Sequence, residues 1–256
     1  MKATSPKKNK PTRQRLDALI CQKGLIDSRE RAKAIILSGK VLVNGELIDK
    51  PGKEVLIDST IEIRVEDHPF VSRGGVKLEA AIKTCCIDVS GKLCIDVGAS
   101  TGGFTDCLLQ NGAAHVYAID VGYGQLAWKI RQDSRVTIME RTNIRYITPE
   151  AIPIQVDIIV IDTSFISLKI VVPAIMPFIK NEGRLITLIK PQFEVGKGKV
   201  GKGGIVRDPE LHALVIKDLS DFFIEKGFII DAVILSPIIG AKGNKEFIMV
   251  MTSTLA

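Results

Sequence analysis

Ile95-Asp96-Val97-Gly98-Ala99-Ser100-Thr101-Gly102-Gly103-Phe104-Thr105-Asp106 reads as a buried strand that enters a glycine-rich turn and leaves as a helix. Glycines at 98, 102 and 103 let the backbone approach a ligand that a Cβ would block, so a nucleotide-like group is expected there. The dinucleotide fingerprint G-x-G-x-x-G is not met: from Gly98 the chain runs G-A-S-T-G-G and fails at the second glycine, which disfavours a nicotinamide cofactor. The next strand, His115 to Asp120, ends in a carboxylate placed to accept both hydroxyls of an adenosine ribose.

Outward from this turn, apolar strands near 92–97, 115–120, 135–139, 156–162, 184–190, 228–235 and 246–252 alternate with helix-length segments near 76–86, 103–111, 124–131, 167–180 and 209–226. This alternation predicts an α/β, doubly wound, mostly parallel sheet of seven strands. Only a loop separates the last two strands, too short for a crossover helix, so the final strand should run antiparallel. Asp96-x-Gly98-x-x-x-Gly102-Gly103, followed by a strand ending in Asp120, resembles the S-adenosylmethionine site of class I methyltransferases. That resemblance implies cofactor contacts at Asp96, Gly98, Ser100, Thr101, Gly102, Gly103, Phe104 and Asp120.

Four charges fall where such a sheet gathers its active site. Asp162 and Lys190 each close an otherwise apolar strand, Lys77 opens the helix before the cofactor strand, and Glu246 begins the last strand. Their types suit methyl transfer to a sugar hydroxyl, which must lose its proton as the new bond forms. A free lysine titrates near about 10.4, whereas burial beside another ammonium can bring one toward roughly 7 to 8. Lys190 is therefore the expected base, Lys77 the neighbouring cation that positions the ribose, and Asp162 and Glu246 the acids that orient the lysines.

Ahead of the sheet, residues 13–64 read as a separate small α+β unit. Leu16, Leu19 and Ile20 predict a short helix ending at Gly24, and Ser28 caps a second that stops at Gly39. Asn44-Gly45, between two extended runs, predicts a hairpin. Arg-Leu-Asp at 15–17, Gly24, Ser28-Arg29, Ala32, Gly39-Lys40-Val41, Val43-Asn44-Gly45 and Lys50-Pro51 resemble the S-four-type RNA-binding domain. The resemblance implies recognition of structured RNA, with Arg13, Arg15, Arg29, Arg31, Lys33 and Lys40 facing phosphates. Charge agrees: residues 1–66 hold 14 Lys and Arg against 9 Asp and Glu, five of the chain's six net positive charges. Residues 1–12 read as a basic arm, 65–75 as a linker where few contacts cross, and 76–256 as the catalytic domain.

Gly196, Gly201 and Lys202 match a phosphate-loop spacing, but Gly203 stands where Ser or Thr would hold magnesium, so an NTPase is rejected. Gly196 to Arg207 reads instead as a mobile basic loop, either a lid whose Lys197 and Lys202 touch RNA phosphates or a plain solvent loop. Arg73 is a further expected RNA contact.

The Lys-Asp-Lys-Glu order, with Ser72-Arg73-Gly74-Gly75, Asp120-Val121-Gly122-Tyr123-Gly124, Asp162-Thr163-Ser164-Phe165 and Lys190-Pro191-Gln192-Phe193-Glu194, resembles the TlyA-type branch of FtsJ-like ribosomal RNA methyltransferases. It implies 2′-O-methylation of cytidine ribose in ribosomal RNA, a tetrad of Lys77, Asp162, Lys190 and Glu246, and S-adenosylmethionine as cofactor, with Asn143 at its adenine. Position 163 is Thr where that pattern carries Val. Lys190-Pro191-Gln192-Phe193 lacks the Asn/Asp-Pro-Pro-aromatic motif of amino-group methyltransferases, which disfavours base methylation.

At 256 residues, 46% hydrophobic and 25% charged, the chain can bury a core and no window spans a bilayer. With no secretory signal at the start, a cytoplasmic protein is expected. Five unpaired cysteines indicate buried free thiols and no metal site, and the three histidines are assigned to surface or loop roles. Two other readings stay open: an RNA-binding assembly factor on an inactive transferase fold, and a membrane-active hemolysin, disfavoured without a spanning or amphipathic basic helix.

Overall fold

The computed structural model describes residues 12–26, 28–37, 39–63, 68–196 and 198–255. The basic arm through residue 11, the linker's first residues 65–67, Lys197 and the side chain of Arg31 lie outside them. The chain divides at residue 67 into two compact units.

In the first unit β1 (Arg13–Arg15) runs into α1 (Leu16–Gln22), which buries Leu16, Leu19 and Ile20 at the spacing of one helical face. α2 (Arg29–Leu37) adds Ala32 and Ile36 to the same core. β2 (Val41–Val43) and β3 (Glu46–Leu47) form the expected hairpin; Asn44 and Gly45 both hold positive φ, 51° and 83°, which a two-residue turn between right-twisted strands requires. β4 (Glu54–Leu56) pairs with β1 and β5 (Ile61–Ile63) with β2, both antiparallel. Three-residue strands carry too little alternation to be seen in sequence.

The second unit begins with α3 (Gly74–Thr84), β6 (Leu93–Val97), α4 (Gly103–Gln110), β7 (His115–Ile119), α5 (Trp128–Arg131) and β8 (Val136–Met139). It continues with β9 (Val156–Ile161), α6 (Leu168–Ile175), β10 (Ile179–Ile189), α7 (Pro191–Glu194), α8 (Pro209–Glu225), β11 (Phe228–Leu235) and β12 (Phe247–Ser253). The sheet order is β11-β12-β10-β9-β6-β7-β8, and β12 lies antiparallel to both neighbours, as expected. From Ile158 to Ile161 β9 is wholly apolar, which explains why helices cover both its faces. Ile158 and Val160 enter a core with Leu78 of α3 and Leu108 of α4, whereas Ile159 and Ile161 enter one with Val172 of α6 and Phe223 of α8. Each such side chain contributes roughly 1.5–3 kcal/mol of burial.

Three expectations need correction. Of the helix read at 124–131 only α5 forms, because Gly122 N donates to Asp120 Oδ1 (2.6 Å) and Gly124 N to Glu140 Oε1 (2.9 Å), turning the chain back first. β10 starts at Ile179 rather than 184, with a register shift between Ile179 and Arg184. Residues 68–75, read as linker, pack into the second unit: Phe70 is buried and Asp106 Oδ2 accepts Val71 N at 2.8 Å.

Candidate active site

Parallel strands bring their carboxyl ends to one rim, and β12 enters at that rim because it runs the other way. Thr187 pairs with Ile161 and Ile189 with Phe247, so Asp162, Lys190 and Glu246 cluster just beyond paired positions. Lys77 joins them from the first turn of α3: its Nζ lies 2.6 Å from Glu246 Oε2, and Lys190 Nζ lies 2.5 Å from Asp162 Oδ1. Both amines are sequestered, with side-chain exposures of 12% for Lys77 and 11% for Lys190. Lys190 also donates to Ser164 Oγ at 2.9 Å. Glu246 fills the space above Gly240, where a Cβ would fall 2.0 Å from Oε1. The four expected residues thus form two acid-amine pairs, each charge compensated where water is largely excluded.

A cavity of about 980 Å³, within the size range of small-molecule sites, opens at Asp162, whereas Lys77, Lys190 and Glu246 are not among its lining residues. Gly98, Ser100, Asp120 and Asn143 line it together with Asp162, residues 163–167, Gln192 and Phe193. Gly98 holds φ 86°, and a Cβ there would lie 2.6 Å from the Asp162 carbonyl oxygen, so only glycine lets the turn press against β9's end. Asp120 accepts Ser100 N (2.7 Å) and Gly122 N (2.6 Å), one on each oxygen, and a carboxylate has capacity for about two acceptances more. Asn143 Oδ1 accepts Arg145 N at 3.1 Å, fixing the turn after β8.

Asp96 is fully buried. Its Oδ2 accepts the Thr105 hydroxyl at 2.6 Å, while Oδ1 has no partner among the described residues. Burial, reinforced by Asp162 and Asp120, outweighs the Thr105 hydrogen bond and pushes the carboxyl up to about 7. Asp96, Thr101, Gly102, Gly103 and Phe104, expected at the cofactor, are not among the cavity's lining residues. Gly102 faces Leu126 and Ile130, and Gly103 makes room for Ser72 and Gly75, so these two glycines serve helix packing.

The sequence did not single out the cavity's aromatic wall. Phe165 is 90% exposed with φ 65°, a strained conformation for a bulky residue, and its ring lies 5.0 Å from that of Phe193. A phenylalanine among Ser and Thr after a strand-ending Asp was the available signal. The far end of the loop read as mobile, residues 201–206, is held by hydrogen bonds. Val206 is buried, its N–H donating to Asn244 Oδ1 (3.0 Å) and its carbonyl 2.9 Å from His212 Nε2, while Gly201 N bonds Ile205 O. His212 is therefore a buried anchor rather than a surface residue. Lys202 is exposed between Gly201 and Ile205, and Arg73 is exposed at the start of α3. Of the thiols only Cys94 and Cys107 are buried, and Cys86 is exposed.

In the first unit Asp17 has no exposed side-chain surface and binds two guanidiniums, Arg15 at 2.9 Å and Arg29 at 3.2 Å, each about half exposed. The Arg15 hydrogen bond is the chief cause that holds the Asp17 carboxyl down at about 2. Arg13 is exposed, and Lys33 and Lys40 are partly so. Among the described residues no His, Cys, Asp and Glu cluster could hold a metal, and no helix is long and apolar enough to cross a membrane.

Residues 70–253 match the FtsJ-like methyltransferase family, and residues 14–61 match the S4 domain. YqxC of Bacillus subtilis strain 168, described as an rRNA methyltransferase, is 47% identical over 93% of this chain and 85% of its own. The 16S/23S rRNA (cytidine-2′-O)-methyltransferase TlyA of Mycobacterium tuberculosis is 45% identical, covering 93% of this chain and 89% of its own. A solved structure from Streptococcus thermophilus, described as a hemolysin, superposes with a TM-score of 0.75 at 41% identity, covering 96% of this chain and 90% of that one.

Proposed function

Because the chain belongs to the FtsJ-like methyltransferase family and carries an S4 domain ahead of it, we propose that it methylates the ribose 2′-hydroxyl of a cytidine in ribosomal RNA, using S-adenosylmethionine. The observation that carries this reading is the pair of sequestered ion pairs, Lys77–Glu246 and Lys190–Asp162, the second of which reaches through Asp162 a cavity that Gly98 also lines. The relatives named as rRNA methyltransferases support the substrate.

The residues present fit the cofactor. Asp120 retains acceptor capacity for ribose hydroxyls, Asn143 lines the same cavity for the adenine, and Asp96, buried just ahead of the turn, keeps an unpartnered Oδ1. S-adenosylmethionine supplies an electrophilic methyl group on a sulfonium. The chain's own work is to deliver an oxygen nucleophile to it. Lys190 Nζ accepts the 2′-hydroxyl proton as the new bond forms, and Asp162, 2.5 Å away, stabilises the ammonium that results. Ser164 fixes the direction of that amine. Lys77, held by Glu246, positions the ribose.

The test incubates purified protein and labelled S-adenosylmethionine with ribosomal subunits lacking the modification, followed by nuclease digestion and mass spectrometry. 2′-O-methylcytidine is expected. Label on a base, or no label at all, would overturn the reading.

A further inference from the structure

A helix start leaves N–H groups without partners inside the helix, and these are ordinarily satisfied by side chains of its own first turn. α6 departs from this. Ser167 Oγ accepts Lys169 N at 3.2 Å in the usual way, but Leu168 N donates to Glu194 Oε1 at 2.9 Å, and the Ser167 hydroxyl donates to Glu194 Oε2 at 2.6 Å. Glu194 lies on α7, beyond β10, so the helix that follows β9 is closed by an acid from the next strand's loop.

The consequence is geometric. The segment between Asp162 and α6 is tied to the segment after β10 at both ends, by Lys190 to Asp162 and Ser164, and by Glu194 to Ser167 and Leu168. Between these ties stand Phe165 in its strained φ of 65° and the Phe165–Phe193 ring contact. Strain of this kind persists only where its surroundings over-determine it. Burial raises the Glu194 carboxyl above its usual range, so an acid is retained where it costs stability. Lys169, a cation whose charge acts on Glu194, is engaged with Asp218 at 2.7 Å.

We infer that Glu194 is a positioning residue for methyl transfer: by capping α6 from the β10 side it holds the loops bearing Asp162 and Lys190 in one register, and so sets where Lys190 meets the acceptor hydroxyl. The inference rests on the function proposed above. Small misplacements of reacting groups cost up to about 100-fold in rate.

The test uses the full chain with Glu194→Gln, which preserves shape but loses one of the two acceptances, and Ser167→Ala, which removes the hydroxyl's donation to Glu194 together with its acceptance of Lys169 N. Single-turnover methyl transfer is read as a rate constant and an amplitude, beside dissociation constants for S-adenosylmethionine and RNA. Glu194→Gln should lower the rate constant about 10- to 30-fold and Ser167→Ala about 3- to 5-fold, with both dissociation constants within twofold and the double variant no slower than Glu194→Gln. A merely structural clamp would lower the amplitude, as folded protein is lost, and leave the rate constant unchanged in both variants. That result overturns the inference, as does a tenfold loss of cofactor affinity. Failure of the underlying function would show separately, as wild-type protein that places no methyl on ribose.

Discussion

In the small N-terminal unit the acid is buried and the bases face water: Asp17 is fully covered while Arg15 and Arg29 stand half exposed. On the methyltransferase rim the amines themselves are sequestered, Lys77 behind Glu246 and Lys190 behind Asp162. Both clusters pair acid with base, but they serve different chemistry. A guanidinium keeps its charge and has five donors, so a carboxylate that occupies some of them sets the spacing of two cations and leaves donors for a phosphate. An ammonium shielded from water can instead be held against one atom and exchange one proton with it. Exposure of the base separates a grip on a polyanion from a proton-transfer site.

Substitutions can break that contrast. Lys190→Ala should lower the single-turnover rate about 1,000-fold, within the span that a positioned acid or base supplies, and Lys190→Arg should not restore it, since a guanidinium does not deprotonate. A variant transferring methyl at near-normal rate would remove Lys190 from the proton path. Asp17→Asn frees Arg15 and Arg29 from their common anchor. Its effect belongs in RNA binding: filter-binding assays should show about a tenfold weaker complex and a shallower dependence on salt. An unchanged salt slope would mean that the two arginines do not reach phosphate. Because the Asp17 carboxyl is held down at about 2, below its unfolded value, its stabilising contribution is complete at neutral pH and disappears only as pH falls through that range.

The smallest effect sharpens the comparison from the opposite sign, since Asp96 is an acid buried without a base. Its native pKa of about 7 lies above the unfolded value, so between pH 6 and 8 the folded chain gives up a proton that the unfolded chain has already lost. Stability therefore falls as pH rises through this window, by about 1.4 kcal/mol from this group alone. Urea denaturation at the two pH values should show that loss in the wild type, and Asp96→Asn should abolish most of it. Equal pH dependence in both proteins would assign the titration elsewhere.

Much of this was legible in order of residues. The Gly98 turn announced itself because strand, glycines and helix are contiguous, and the short connection between the last two strands was enough to place β12 antiparallel. Asp162, Lys190 and Glu246 were visible as single charges at the ends of apolar runs. The early turn after Asp120, the packing of residues 68–75 on α4 and the anchoring of Val206 by Asn244 and His212 were not, because each depends on a partner that no local spacing reveals. His212 is the clearest case: an isolated histidine in sequence becomes a buried anchor once α8 docks beside Phe247.

Periodicity, glycine placement and charge at strand ends are local properties, and they were sufficient to dictate the element order, the doubly wound sheet and the residues that gather on its rim. Which amine meets which acid is not a local property. Lys77 and Glu246 are separated by 169 positions, and their 2.6 Å contact exists because β12 threads between β10 and β11 and brings the residue just ahead of it to the start of α3. Likewise, only folding made Glu194 the cap of α6 and left Phe165 in the open, since both follow from the spacing of neighbouring strands rather than from neighbours in the chain.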